Sequence, residues 1–187
     1  MFNMALTKTP LCEFGKKADF FKLKSTENKM IDLDSIKGTN GLLIMFICNH
    51  CPYVIATIKE IVETSIKLKE YKINSLAIMS NDPNNYSEDS FDNMILFAKK
   101  YNFDFPYVID EDQSIAKKYG AVCTPDFFGY NNVLELQYRG RIRELNNLKP
   151  LANSSNELLD SMILIAKNKI GPKVQKPSMG CSIKWFK

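Results

Sequence analysis

The chain of 187 residues is 45% hydrophobic and 25% charged, with a formal net charge of +4. Those values suit one soluble domain with a sizeable core. All but three of its 25 basic residues are Lys, in runs no longer than two, so nucleic-acid binding has no footprint, and no stretch nears the roughly 20 apolar residues of a membrane span. The first residues lack the basic, apolar and small-residue pattern of a secretory signal, so a cytoplasmic location is expected. Five cysteines at irregular spacing do not read as a structural disulfide framework.

Residues 1–15 read as a loose leader. Ala18–Leu23 and Met30–Leu33 are alternating segments around the polar turn Ser25–Lys29, which predicts a hairpin. Lys37-Gly38-Thr39-Asn40-Gly41 then breaks the chain before the apolar run Leu42–Ile47, the pattern of a strand buried on both faces. From Tyr53 to Glu70, Val54, Ile55, Ile58, Ile61, Val62 and Ile66 recur at helical spacing. Ser75–Met79 predicts a second strand. Phe91, Met94, Ile95 and Ala98 mark a helix, Tyr107–Ile109 a short strand, and Asp112–Tyr119 another helix. Phe127–Tyr130 and Val133–Tyr138 predict a hairpin turning at Asn131-Asn132, because Asn tolerates positive φ. Ser154-x-x-Glu157 predicts a capping box that opens the last helix. Residues 171–187 form a tail with Pro172, Pro177, Cys181 and Trp185.

The chemistry concentrates in Cys48-Asn49-His50-Cys51-Pro52, where the apolar strand gives way to the helix. Cys-x-x-Cys beside such a junction reads first as a redox dithiol. A helix N-terminus carries unpaired N–H groups and partial positive charge, which favour a thiolate, and the thiolate is the attacking species. His50, the chain's one histidine, stabilises a thiolate when protonated or serves only to hold the loop. Half of a zinc site is a competing reading, with Cys123, Cys181 or carboxylates completing it.

Strand, Cys-x-x-Cys, helix, strand, helix, x-Pro, hairpin, helix resembles the thioredoxin-like superfamily. Gly15-x-x-Ala18-Asp19-Phe20 and Ile36-Lys37-Gly38 are similar to its alkyl hydroperoxide reductase/thiol-specific antioxidant branch. Asn49–Val54, Ser80-Asn81-Asp82, Cys123–Phe128 and Gly180–Trp185 resemble a bacterial "thioredoxin family protein" group more closely. The resemblance implies an α/β thioredoxin fold over 1–187, a central mixed sheet flanked by helices, with an N-terminal hairpin extension and a C-terminal tail. It also implies that Thr124-Pro125 is a cis-proline loop lying against the dithiol, which makes both residues, with Asn49 and Pro52, substrate-binding candidates. The chain departs from thioredoxin in having Ile47 where a Trp precedes the first cysteine and no acid in the buried strand. An ungapped alignment sets Cys51 on the attacking cysteine. Cys51-Pro52 also resembles a peroxidatic Cys-Pro, without the rest of that motif.

Two function classes follow. The first is a thiol-disulfide oxidoreductase using Cys48 and Cys51 with His50, acting on protein or small-molecule disulfides. It needs an external thiol reductant and no metal or organic cofactor, and a thiol peroxidase with Cys51 as peroxidatic cysteine is its nearest alternative. The second is a non-enzymatic metal-binding module. Neither nucleic acid nor membrane is an expected partner. Cys123 and Cys181 are auxiliary thiols or packing residues, and Cys12 is incidental. The tail either folds over the active-site face, bringing Cys181 toward Cys123 or the dithiol, or docks elsewhere through Trp185. Asp89 is available for the proton transfer that the missing acid leaves vacant, or belongs to a polar loop in which Ser87 or Ser90 caps the next helix. Arg139, Arg141 and Arg143 bind an anion or lie at a solvated strand end.

Overall fold

In the computed structural model, which describes residues 6–187, the run Leu42–Ile47 lies at the middle of a sheet with both faces covered. Leu43, Met45 and Ile47 enter one core cluster, and Leu42, Ile44 and Phe46 enter the other, as a side-chain period of two requires. In chain order the elements begin β1 (Leu6–Lys8), β2 (Lys22–Ser25), β3 (Met30–Asp32), α1 (Leu33–Ile36), β4 (Gly41–Phe46) and α2 (Pro52–Glu70). Next are β5 (Ile73–Met79), α3 (Phe91–Lys100), β6 (Tyr107–Ile109), α4 (Ser114–Tyr119) and β7 (Cys123–Thr124). The remainder are β8 (Asp126–Asn131), β9 (Leu136–Gly140), the pair β10 (Leu145–Asn146) and β11 (Lys149–Pro150), α5 (Glu157–Asn168) and β12 (Met179–Ser182).

The main sheet has the order β3-β2-β6-β5-β4-β8-β9. Its β4–β5 and β5–β6 pairs are parallel, and the others antiparallel. Val54, Ile58 and Ile61 of α2, Met94 of α3 and Leu158, Met162 and Ile165 of α5 fill one face. Phe21, Leu33, Ile115 and Tyr119 fill the other. This is the expected thioredoxin fold: a mixed sheet flanked by helices, with β2–β3 as the N-terminal hairpin. A second sheet, β1-β12-β7, forms beside the C-terminal end of β4, where parallel strands open onto a ligand crevice.

Several local expectations need correction. Leu6, Thr7 and Lys8 pair with Cys181, Gly180 and Met179, so this part of the leader is a strand held by the tail; residues 1–5 lie outside the described residues. Ser154 does not cap α5. Asn156 does, accepting from Leu159 N–H at 2.8 Å, while Ser154 donates its hydroxyl to Leu151 O. The turn between β8 and β9 is longer than Asn131-Asn132. Asn131 Oδ1 accepts from the N–H groups of Val133 and Glu135, and Leu134 takes the positive φ of 59°. An Asn carboxamide reaching two and four residues ahead replaces the tight turn.

Candidate active site

Cys51 is the N-cap of α2, with Pro52 at its first helical position. Pro suits that place because the first turn has N–H groups without helical partners and its φ is already helical. The cap makes no side-chain hydrogen bond, so the Cys51 sulfur is left for other partners. Its Sγ lies 3.1 Å from Cys181 Sγ and 3.0 Å from Thr124 O, which accepts from the thiol. Cys48 Sγ sits 3.2 Å from Thr124 Oγ1, and the Thr124–Pro125 bond is cis. The implied proline loop therefore does face both cysteines.

The Cys51 sulfur is met by two thiols, those of Cys181 and Cys48. Hydrogen bonds from Cys181 and Cys48 hold its pKa down, against burial. Deprotonation gives up the bond to Thr124 O, which offsets part of that gain. The other two thiols shift the opposite way: the bond to Cys51 and then burial raise Cys181, and burial above all raises Cys48. Three interacting thiols titrate as a unit, and the first negative charge goes to the central one. Both sulfurs of the motif are buried, with Cys48 1% and Cys51 0% exposed. A tail with little local pattern hides them.

His50 Nδ1 is ion-paired with Asp89 at 2.7 Å, and its ring stacks on Tyr86 at 5.4 Å. That carboxylate raises the imidazole pKa, with burial opposing. Asp89 is itself wholly buried and accepts from Asn49 N–H at 2.8 Å and from the Asn81 carboxamide at 2.8 Å. Ser90, its neighbour, caps α3 through Asn93 N–H. Asn49 faces inward, donating to Glu88 O and accepting from Tyr107 O–H at 3.0 Å. The sequence reading missed Tyr107, which has no signal beyond its place in a short apolar strand. Cys48 Sγ, a His50 nitrogen and an Asp89 oxygen lie within 4.8 Å of one another, a donor set able to meet a metal ion. Both Asp89 oxygens are already engaged, however, by Asn49, Asn81 and His50.

The tail crosses this face. Cys181 and Ser182 pair antiparallel with Thr124 and Cys123, and Ser178 donates its hydroxyl to Pro125 O at 2.7 Å. Ile183 is the apolar anchor at 3% exposure, whereas Trp185 remains 39% exposed beside Lys117. Docking through Trp185 alone is thereby corrected. Farther along, Lys184 N–H reaches Asn81 Oδ1, and Gln113 bonds both Lys184 O and Phe186 N–H. Cys123 is buried on β7, its Sγ 3.8 Å from Pro125 O, and burial raises its pKa. Cys12 is half-buried away from the cluster, its pKa pushed up to about 11 by burial. The three arginines are each paired with carboxylates: Arg139 with Asp126, Arg141 with Glu144 and Glu157, and Arg143 with Glu60. A cavity of about 330 Å³ opens next to the cluster, between Tyr53 and Pro125 on one side and Ser178 and Met179 on the other.

A thioredoxin-type sheet with a thiol cluster at the start of its long helix defines a thiol-based oxidoreductase. Within that class the chain belongs to the AhpC/TSA family, whose model matches residues 14–145. It is 26% identical over 117 residues to a "Putative peroxiredoxin bcp" of Coxiella burnetii, covering 63% of this chain and 72% of that one. It is 28% identical over 128 residues to "Thiol-disulfide oxidoreductase ResA" of Bacillus thuringiensis, covering 68% and 69%. Among solved structures it is similar to an uncharacterized conserved protein from Geobacillus kaustophilus, with a TM-score of 0.93 and 33% identity over 99% of this chain and 98% of that one. A hypothetical protein, SMc02350, from Sinorhizobium meliloti is similar at a TM-score of 0.89 and 31% identity, covering 96% and 98%. No helix among the described residues is long and apolar enough to cross a membrane.

Proposed function

We propose that the protein is a single-domain thiol-disulfide oxidoreductase in which Cys51 is the attacking thiolate. One observation carries this reading: Cys51 caps the N-terminus of α2, with its sulfur facing the thiols of Cys181, at 3.1 Å, and Cys48. A thiolate there is favoured by the helix end and by both donors. It displaces one sulfur of a substrate disulfide. A second protein thiol, Cys48 or Cys181, then attacks Cys51 and releases the other sulfur. His50, held by Asp89, supplies positive charge beside the sulfurs and a ring nitrogen to carry a proton. Asn49 and Pro52 shape the loop, and Thr124 and Pro125 line the substrate side. An external thiol restores the reduced state, and sulfur carries both electrons without a bound cofactor. We assign the protein to the cytoplasm, where an external thiol pool would keep such a cysteine cluster reduced.

The test is reaction with bis(2-hydroxyethyl) disulfide at neutral pH. Wild type should react faster than free cysteine, and Cys51→Ser should lose the reaction. Undiminished turnover by Cys51→Ser would reject this assignment. A parallel reaction with hydrogen peroxide decides the peroxidase reading, which Cys51-Pro52 and the peroxiredoxin relative favour. Oxidation of Cys51 no faster than that of free cysteine eliminates it.

A further inference from the structure

The sulfur of Cys51 lies 3.1 Å from that of Cys181, a cysteine 130 positions away in the tail and outside the Cys-x-x-Cys motif. We propose that Cys181 is the resolving cysteine: the redox disulfide forms between Cys51 and Cys181, and Cys48 stays a thiol throughout. This rests on the reading of Cys51 as the attacking sulfur.

Three observations converge. The two Sγ atoms are 3.1 Å apart, so a bond of about 2.05 Å needs an approach of only ~1 Å. Cys181 is delivered by a strand, through its register with Thr124, the residue whose carbonyl also touches Cys51 Sγ. The same strand is fixed on its other edge by β1, so the thiol arrives in one place and not along a floppy tail. Cys48, by contrast, is held between two pinned neighbours. Ile47 N–H bonds Ile78 O and Asn49 N–H bonds Asp89, while its own sulfur faces the Thr124 hydroxyl. Its place makes it a donor to the Cys51 thiolate.

The step balances as thiol-disulfide exchange. Cys51 thiolate attacks a substrate disulfide, forming one S–S bond to the substrate and expelling a thiolate, which takes up the proton Cys51 had shed. Cys181 sulfur then attacks Cys51 sulfur and breaks that mixed bond. The second substrate sulfur leaves with the Cys181 proton. Two electrons pass from Cys51 and Cys181 to the substrate, and the product disulfide staples the C-terminal strand across the site. Since β12 already fills the edge of β7 beside Cys51, a substrate cannot add there as a strand. Cys51 is closed to solvent while β12 is docked, and the neighbouring cavity lined by Tyr53, Pro125 and Met179 has room for a small disulfide when the strand lifts.

The experiment is stoichiometric oxidation of the full-length reduced protein by bis(2-hydroxyethyl) disulfide, with disulfides mapped by mass after non-reducing digestion. Wild type should lose two hydrogens, with Cys51 and Cys181 in one linked peptide pair, and Cys48→Ser, slowed by loss of its hydrogen bond to Cys51, should still form that same pair. Cys181→Ser should stop as a Cys51 adduct carrying the mercaptoethanol mass. A Cys48–Cys51 disulfide in wild type, or resolution of the adduct in Cys181→Ser at the wild-type rate, overturns the proposal and leaves Cys51 as the attacking thiol. Failure of every protein to form any Cys51 adduct or disulfide overturns both. The wild-type map needs no variant, so a misfolded Cys48→Ser or Cys181→Ser leaves the decision intact.

Discussion

Gly180→Ala tests whether the tail strand is what keeps Cys51 out of solvent. A Cβ placed on Gly180 would drive into the Thr124 carbonyl and meet the Pro125 nitrogen, both backbone atoms unable to swing aside as a flexible side chain would. Overpacking of this kind costs about 1–3 kcal/mol. Here the strain falls on the docked state of β12 alone, since the undocked tail has no contact with Thr124. At ~1.4 kcal/mol per tenfold, the undocked fraction should rise about 5- to 150-fold. In the folded protein Cys51 is 0% exposed, so a reagent reaches it only from the opened form, in proportion to that form's population. The assay is iodoacetamide labelling of Cys51 at neutral pH, quantified by peptide mass, in wild type, in Gly180→Ala and in urea-unfolded protein. Equal Cys51 labelling in the two folded proteins, with the variant still melting cooperatively, would refute the argument that β12 is the cover.

Asp89→Asn should lower the pKa of His50, because the carboxylate that raises it is gone; the lone imidazole makes the proton NMR titration unambiguous, and an unchanged midpoint would deny the pairing. Arg139→Met leaves the Asp126 carboxylate buried without its cation and should cost ~3–5 kcal/mol in urea unfolding, with Arg139→Met/Asp126→Asn recovering most of it; equal stability of single and double variants would contradict this. Burial pushes the Asp126 pKa up to about 6, with Arg139 pulling it back, against about 3.9 in the unfolded chain. The folded state thus binds the extra proton between those values, so this group adds stability as pH falls from about 6 toward 4 and loses it as pH rises. A pH–stability curve that Asp126→Asn leaves unchanged over that window would oppose it. Ile183→Ala should weaken tail docking by ~2–4 kcal/mol, seen as faster Cys51 labelling, whereas Trp185→Ala should matter less because Trp185 is 39% exposed against 3% for Ile183.

Much of the frame follows from local pattern. An unbroken apolar run flanked by Gly41 and a helical repeat can only be a strand covered on both faces leading into an amphipathic helix, and that junction puts Cys51 at a helix cap. The β2–β3 hairpin and α3 were legible for the same reason, since alternation and 3.6-residue spacing are properties of neighbours in the chain. Fine boundaries were not, because Asn156 and Ser154 are equally good caps until packing selects one. Tertiary structure alone decided the thiol chemistry's surroundings. Nothing near Cys181 says that it lies against Cys51, nothing near Asp89 says that it is buried under His50, and nothing near Arg139 says that it neutralises Asp126. Each of these contacts joins side chains that share no periodicity, so the sequence supplies the groups and only the closed fold, with β12 laid along β7, supplies their distances.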